Sequence, residues 1–186
     1  EYFIDDIIIS TTGKISRELM ETFKDNNKKD DNLFLNVGAM GHVSMISLGV
    51  ALNTDKRVIC IDGDGSVIMH MGNLTSIGTS NLSNIIHIVL NNAMHESVGI
   101  QPTIAYDINL ANIATNCGYK YSISITRYLE LNTILKKINE ENIIGPIFIE
   151  IRINNKTNYN TELSRPEQHP RDRKEQFMYF IKDKVQ

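Results

Sequence analysis

Cysteine is scarce in this chain. Cys60 and Cys117 are the only two among 186 residues, the first inside the apolar run Val58-Ile59-Cys60-Ile61 and the second near the end of a helical stretch. Two such thiols build no disulfide framework and read as buried free cysteines. Strong charge of either sign is missing too. A formal net charge of −3 gives no basis for a nucleic-acid partner or an anionic membrane surface. No apolar run reaches the roughly 18 residues that a membrane span requires. A basic leader is also lacking: the first ten residues open with Glu1 and read as the approach to a strand, not as a signal peptide. Asp5-Asp6 just before that strand looks like a start within a larger protein. Asn73, Asn81 and Asn155 each open an Asn-x-Ser/Thr triplet. An asparagine-rich chain produces such triplets by chance, so the protein reads as cytoplasmic and unglycosylated. Neither a repeat nor a low-complexity segment is visible.

What is present is an apolar fraction of 41%, enough for one real core. Short Ile/Val-rich runs alternate with helical patterns. Residues 6–10, 32–36, 57–62, 84–91, 119–125 and 146–153 are strand candidates. Several are apolar throughout, as parallel strands covered on both faces are. One intervening helix carries Ile15, Leu19, Met20 and Phe23. Another carries Leu131, Ile134, Leu135 and Ile138 at i, i+3, i+4, i+7 spacing. This order predicts an α/β fold, a doubly wound, mostly parallel sheet of about six strands with helices on both faces. The domain spans residues 1–154. Residues 155–186 read as a polar tail ending in a short helix that holds Phe177, Met178 and Phe180. In such a sheet a ligand binds beyond the carboxyl ends of the strands, so the residues just after each strand are the informative ones.

Four such segments stand out: Ser10-Thr11-Thr12-Gly13-Lys14, Gly38-Ala39-Met40-Gly41-His42, Gly63-Asp64-Gly65-Ser66, and Asn91-Asn92-Ala93-Met94-His95-Glu96-Ser97. Small residues there let a ligand approach the backbone, and amides at the start of a following helix attract phosphate. Neither a dinucleotide fingerprint nor a P-loop is present. The stretch from Asp62 opens like a calcium loop, but Val67 stands where that loop needs Gly and Asn73 where it needs Glu. Asp64 and Asn92 are oxygen donors at adjacent strand tips. With a nearby backbone carbonyl they make a hard-ligand set suited to Mg²⁺. Each alone reads as an ordinary turn residue, and the pair together favours a site.

Gly-Asp-Gly, 25 residues and Asn-Asn together resemble the signature of thiamine-diphosphate enzymes. The flanks STTGKISREL, NVGAMGHVSMISLGVAL, IDGDGSVIMHMGNLTSIG, HIVLNNAMHESVGIQPT and LSRP resemble the phosphonopyruvate decarboxylases, 2-oxo-acid decarboxylases of that class. The likeness runs from about residue 6 to about residue 180 and covers the carboxyl-terminal, diphosphate-binding half of that family's subunit. Ile100 stands where the pattern has Gly, and Ile15 where it has Thr.

The resemblance implies thiamine diphosphate and Mg²⁺ as cofactors. Asp64 and Asn92 would ligate the ion by side chain and Met94 by its carbonyl. Gly63, Gly65 and Ser66 would hold the diphosphate, and Gly13 and Lys14 would approach it from the first strand. Lys14 has two other readings, a ligand for the substrate's acid group or a solvated first-turn lysine. Gly38 would accept from the aminopyrimidine through its carbonyl. Met40 would be the apolar wedge under the thiazolium, or simply core. His42 and His95, histidines at strand tips, are candidates for proton transfer or phosphonate binding, or else structural. Glu96 is a candidate acid/base, and His70 and His87 carry no assigned role. The implied activity is a carbon–carbon lyase converting phosphonopyruvate to phosphonoacetaldehyde and CO₂. The glutamate that activates the cofactor lies in that family on a pyrimidine-binding half, a separate subunit or an amino-terminal domain, which implies a homo- or hetero-oligomer with a shared site. Two other functions stay open: a β-type subunit of the sister enzyme acting on sulfopyruvate, and a non-catalytic cofactor-binding subunit.

Overall fold

The computed structural model describes residues 2–141, 143–154 and 163–183. Asn155 and part of the expected tail, 155–162 and 184–186, lie outside them. Six strands form one fully parallel sheet: β1 (Ile7–Ser10), β2 (Leu33–Leu35), β3 (Val58–Gly63), β4 (Ile85–Asn91), β7 (Tyr121–Ile125) and β8 (Ile147–Arg152), in the order β2-β1-β3-β4-β8-β7. Five fall within the runs expected from the sequence, and β3 runs one residue past its expected end, to Gly63. A two-residue antiparallel ladder, β5 (Met94–His95) with β6 (Gln101–Pro102), sits in the loop after β4.

Alternation along each strand sorts side chains onto the two faces. Ile7, Ile9, Val58, Cys60, Ile85, Val89 and Phe148 point to one core. There they meet α2 (Val43–Ala51), α4 (Asn73–Thr79), α5 (Leu110–Asn116) and the terminal helix. Ile8, Leu33, Ile59, Ile86, Ile147 and Ile149 point to the other face, under α1 (Lys14–Asp25) and α6 (Tyr128–Glu140). Leu19, Met20 and Phe23 of α1 and Ile134, Leu135 and Ile138 of α6 supply the covering apolar stripes. Helix α1 ends where Asn27 turns left-handed, at φ 49°. Burying a single isoleucine of such a core contributes about 1.5–3 kcal/mol.

The terminal helix α7 (Pro170–Asp183) has 14 residues, more than the short helix expected. Phe177 is buried, with its ring 5.3 Å from Phe34 of β2. Arg173 donates to Asp30 Oδ2 at 2.7 Å, and Gln176 donates to Asp31. The helix thus docks beside the edge strand.

Strand β1 lies between β2 and β3, so the chain leaves β1 in one direction and returns on its other side. Helix α1, which follows β1, covers one face, whereas α3 (Asp64–Met69), which follows β3, contributes Val67 to the opposite core. The loops after β1 and β3 therefore diverge, and a crevice opens at their carboxyl ends.

Candidate active site

A cavity of about 470 Å³ fills that crevice, within the range of small-molecule sites. Its lining comes from all four segments marked by the sequence. Gly13 and Lys14 follow β1, Gly38 and Met40 follow β2, Gly63, Asp64, Gly65 and Ser66 follow β3, and Asn92, Met94, His95 and Glu96 follow β4.

Ser66 ties three of these segments together. Its Oγ accepts from the Thr11 hydroxyl at 3.2 Å and from the Gly41 amide at 3.1 Å. With both lone pairs engaged, the Ser66 proton is left to donate. Helix α1 starts after Gly13, which has no side chain to cap it. Thr12, Gly13, Lys14 and Ile15 at this start line the cavity, and the free amides of a helix start attract a phosphate. Gly13 sits at φ 102°, and a Cβ there would come within 2.5 Å of Ser97 Oγ. A Cβ on Gly65 would meet the His95 ring at 2.2 Å. Both glycines let the loop after β4 close down on the loops after β1 and β3.

Asp64 is 3% exposed. Its Oδ2 accepts from Thr103 Oγ1 at 2.5 Å. Burial pushes its carboxyl above the ordinary range, against the pull of Thr103, the Gly65 amide and His95. The two asparagines after β4 divide the work. Asn91 is fully buried, takes the Ala93 amide on Oδ1 and donates Nδ2 to Glu150 Oε1 at 2.6 Å, which anchors the loop. Asn92 faces the cavity, donating Nδ2 to Glu96 Oε1 at 2.8 Å while Oδ1 accepts from the Met94 amide at 3.0 Å. The other Glu96 oxygen lies 3.2 Å from Lys14 Nζ. Lys14, Glu96 and Asn92 thus form a continuous polar chain along the wall.

His42 is not brought into this cavity. The turn at Gly41, φ 84°, passes directly into α2. His42 becomes the exposed residue before that helix, with its ring edge-on to His70, centroids 4.5 Å apart, and Nδ1 3.1 Å from the Met40 carbonyl. Nothing in this placement supports proton transfer by His42. Met40 lines the cavity, is half-buried and belongs to neither core cluster, against the alternative reading of it as core.

The model for the C-terminal TPP-binding domain of thiamine pyrophosphate enzymes matches residues 12–151. The chain belongs to this family. Thiamine diphosphate is the cofactor its domain binds. Among curated relatives, a phosphonopyruvate decarboxylase of Streptomyces viridochromogenes is 36% identical over 177 residues, 95% of this chain and 42% of that protein. A sulfopyruvate decarboxylase subunit beta of Methanococcus maripaludis is 32% identical over 182 residues, 98% of this chain and 92% of that protein. The chain spans about two fifths of the Streptomyces decarboxylase it matches. A solved thiamine diphosphate-dependent 4-hydroxybenzoylformate decarboxylase of Rhodococcus jostii superposes with a TM-score of 0.60 at 20% identity, covering 81% of this chain and 30% of that one. That likeness concerns the fold. No described helix is long and apolar enough to cross a membrane.

The residues of this thiamine pyrophosphate enzyme domain fit the cofactor chemically. Asp64 carboxylate, Asn92 amide oxygen and Met94 carbonyl are hard oxygen donors of the kind Mg²⁺ prefers. The uncapped start of α1 and the Ser66 hydroxyl are donors of the kind a diphosphate needs. Three contributors escaped the sequence reading. Thr11 and Thr103 sit within the quoted segments but carry no motif of their own. Asp62 stands beside the metal-type aspartate and drew attention only as part of a rejected calcium loop.

Ile100 supplies a test of the loop backbone. Its φ is 63°, and it is exposed. A left-handed conformation costs an L-residue about 1–2 kcal/mol, and for a β-branched side chain it is rare. Ile100→Gly should therefore raise stability by up to about 1 kcal/mol after glycine's own entropic penalty. A thermal melt checks this. A lower melting temperature would show that the Ile100 side chain contributes contacts outweighing the strain.

Proposed function

We propose that this chain supplies the diphosphate and Mg²⁺ half of the active site of a decarboxylase acting on phosphonopyruvate, with phosphonoacetaldehyde and CO₂ as products. The observation that carries the reading is the convergence of Asp64, Asn92, Met94, Ser66, Gly13 and Met40 on one cavity beyond β1, β2, β3 and β4. The likeness to the Streptomyces enzymes extends across 95% and 93% of the chain. Asp64, Asn92 and the Met94 carbonyl would hold Mg²⁺. Ser66, Gly65 and the first amides of α1 would hold the diphosphate. When bound, thiamine diphosphate supplies the electron sink for breaking the carbon–carbon bond.

This chain's own groups bind and orient. Lys14 offers a cation for an anionic group at the cavity wall, either the diphosphate or the substrate's phosphonate. His95 lies over Gly65 beside Asp64 and offers a ring nitrogen to the same region. Glu96 orients Asn92 and holds Lys14, so its role is positioning before it is acid/base. The pyrimidine-binding half would come from a second subunit or domain, making the enzyme an oligomer or a longer chain that closes the site.

A second reading, decarboxylation of sulfopyruvate, is favoured by the alignment with the Methanococcus subunit over 92% of that protein. Both substrates present a 2-oxo acid and an oxyanion head, and the cavity lining serves either. A side-by-side assay of the enzyme reconstituted with its pyrimidine-binding half decides. Turnover of phosphonopyruvate at least tenfold (about 1.4 kcal/mol) above sulfopyruvate supports the proposal, and the reverse order gives the second reading.

Met40 provides an independent check. A buried methionine cut to alanine costs about 2–5 kcal/mol of stability. Met40 is half-buried on the cavity wall, so Met40→Ala should leave the melting temperature nearly unchanged. Turnover should drop by up to about 10²-fold, because misplacing reacting groups by an ångström has effects of that size. A large melting loss with turnover per folded molecule preserved would reject the wedge.

A further inference from the structure

Beneath the cavity floor, on the core face that holds Cys60, lies a line of buried polar side chains. Asp62, one residue before Gly63, is 1% exposed, His87 of β4 is 1% exposed, and Tyr119, just after α5, is 4% exposed. Burying three such groups together is expensive unless each serves another. Asp62 Oδ1 accepts from the Gly63 amide at 2.8 Å. Asp62 Oδ2 lies 3.5 Å from His87 Nε2, too far for a hydrogen bond to be counted, and each of these two buried atoms faces the other with no hydrogen-bonding partner among the described residues. His87 Nδ1 is 3.0 Å from the Tyr119 hydroxyl. Phe148 packs edge-on against both rings, at 5.3 and 5.5 Å, and closes the site to water.

We infer that Asp62, His87 and Tyr119 form a buried brace that sets the peptide leading into Asp64, and that they are positioning residues for Mg²⁺ and the diphosphate. The inference rests on the site reading proposed above. One donor order serves the whole line. With His87 protonated at Nε2, that N–H faces Asp62 Oδ2, Nδ1 accepts from the Tyr119 hydroxyl, and Asp62 Oδ1 takes the Gly63 N–H. This N–H belongs to the peptide at which the strand ends, since Gly63 is the extended residue (φ −113°, ψ 155°) before α3, whose first residue is Asp64. Fixing that amide fixes the direction in which Asp64 and the Gly65 amide leave the sheet. Helix α3 has six residues, and Gly63 before it has no side chain with which to cap it. The brace ties that start to β4 and to the residue that follows α5, on the far side of the sheet from α1.

The same cluster includes Cys60, whose Sγ lies with an Asp62 oxygen and a His87 nitrogen within 4.8 Å of one another. Burial and the Asp62 charge push the Cys60 thiol well up, and within the brace it packs as a small apolar filler.

The test uses the chain reconstituted with its pyrimidine-binding half, titrated calorimetrically with thiamine diphosphate and Mg²⁺, with melting temperatures in parallel. Partners that orient a metal ligand typically change metal affinity by about 10–100-fold when removed. His87→Leu should weaken Mg²⁺-dependent binding within that range. Tyr119→Phe, which deletes one hydroxyl and leaves the fold intact, should act in the same direction to a smaller extent. His87→Gln keeps a donor facing Asp62 and should restore most of the affinity. Phe148→Leu should do the opposite of the brace variants, lowering the melting temperature while leaving affinity unchanged. Wild-type affinity in both His87→Leu and Tyr119→Phe would overturn the brace, as would equal losses in His87→Leu and His87→Gln. Stoichiometric transition metal in the purified protein, found by elemental analysis, would replace it with a metal centre at Cys60, Asp62 and His87. Failure of the unsubstituted protein to bind Mg²⁺ and cofactor at all would instead overturn the site reading beneath it.

Discussion

Residues 1–186, purified and supplied with thiamine diphosphate and Mg²⁺, should release no CO₂ from phosphonopyruvate above background. The expected gap is large because the cavity groups are all of one kind. Ser66, Gly65 and the start of α1 offer donors for a diphosphate, and Asp64 and Asn92 offer ligands for a cation. The cavity's other carboxylates are accounted for otherwise: Glu96 is held by Asn92 and Lys14, and Glu18 lies on α1. A group donating or taking a proton at the far edge of the cofactor contributes about 10²–10⁴-fold in rate. The wall is incomplete as well. Val98, on the cavity lining, is 64% exposed, and Ile153 beside it is also exposed. Preorganised charge works best where water is excluded, and this rim leaves the site open until another surface covers it. Adding the pyrimidine-binding half should bring both activity and a trappable aldehyde. Robust turnover by this chain alone would show that the site is not shared.

The sheet was legible because several of its strands are apolar throughout. Residues 84–91 read as a strand from Ile85 to Leu90 with no turn residue inside, and the six strands come out in one parallel sheet. The ladder of Met94–His95 with Gln101–Pro102 was not legible, since two-residue strands carry no periodicity. Residues singled out by type, Asp64 and Asn92 among them, line the cavity, because the strand tips limit where oxygen donors can stand. Residues proposed to act through a neighbour were not singled out. Asp62, His87 and Tyr119 come together only because β3 pairs with β4 and α5 brings the chain back beneath them. His42 follows a strand too, but the turn at Gly41 carries it away from the cavity lining, which sequence position does not reveal. Ile100 is a middle case, since the resemblance marked the position as one for glycine and the backbone gives the reason, a left-handed φ of 63°.

Asp64→Ala should abolish Mg²⁺-dependent cofactor binding, weakening it by more than about 100-fold, beyond the 10–100-fold typical of residues that only support a ligand. Asp64 stands at a strand tip, yet it is only 3% exposed, beneath Thr103, and this sharpens the stability side of the prediction. Its folded-state carboxyl titrates above the ordinary value, which in an unfolded chain is about 3.9. Ionised Asp64 therefore opposes folding at neutral pH. That penalty is present above the raised folded pKa, fades as pH falls through it, and vanishes below the unfolded value. Asp64→Asn keeps an acceptor for Thr103 and removes the buried charge. It should raise the melting temperature of the unliganded protein at pH 7, and the gain should shrink as pH is lowered. Binding runs the other way. Mg²⁺ needs the carboxylate, so affinity should weaken as pH falls, beginning at a higher pH than an exposed aspartate would give. Calorimetry and thermal melts on the same variants across pH check both halves. Unchanged affinity in Asp64→Ala would sink the metal site. A lowered melting temperature in Asp64→Asn would show that the Asp64 carboxylate stabilises the fold, contrary to its burial.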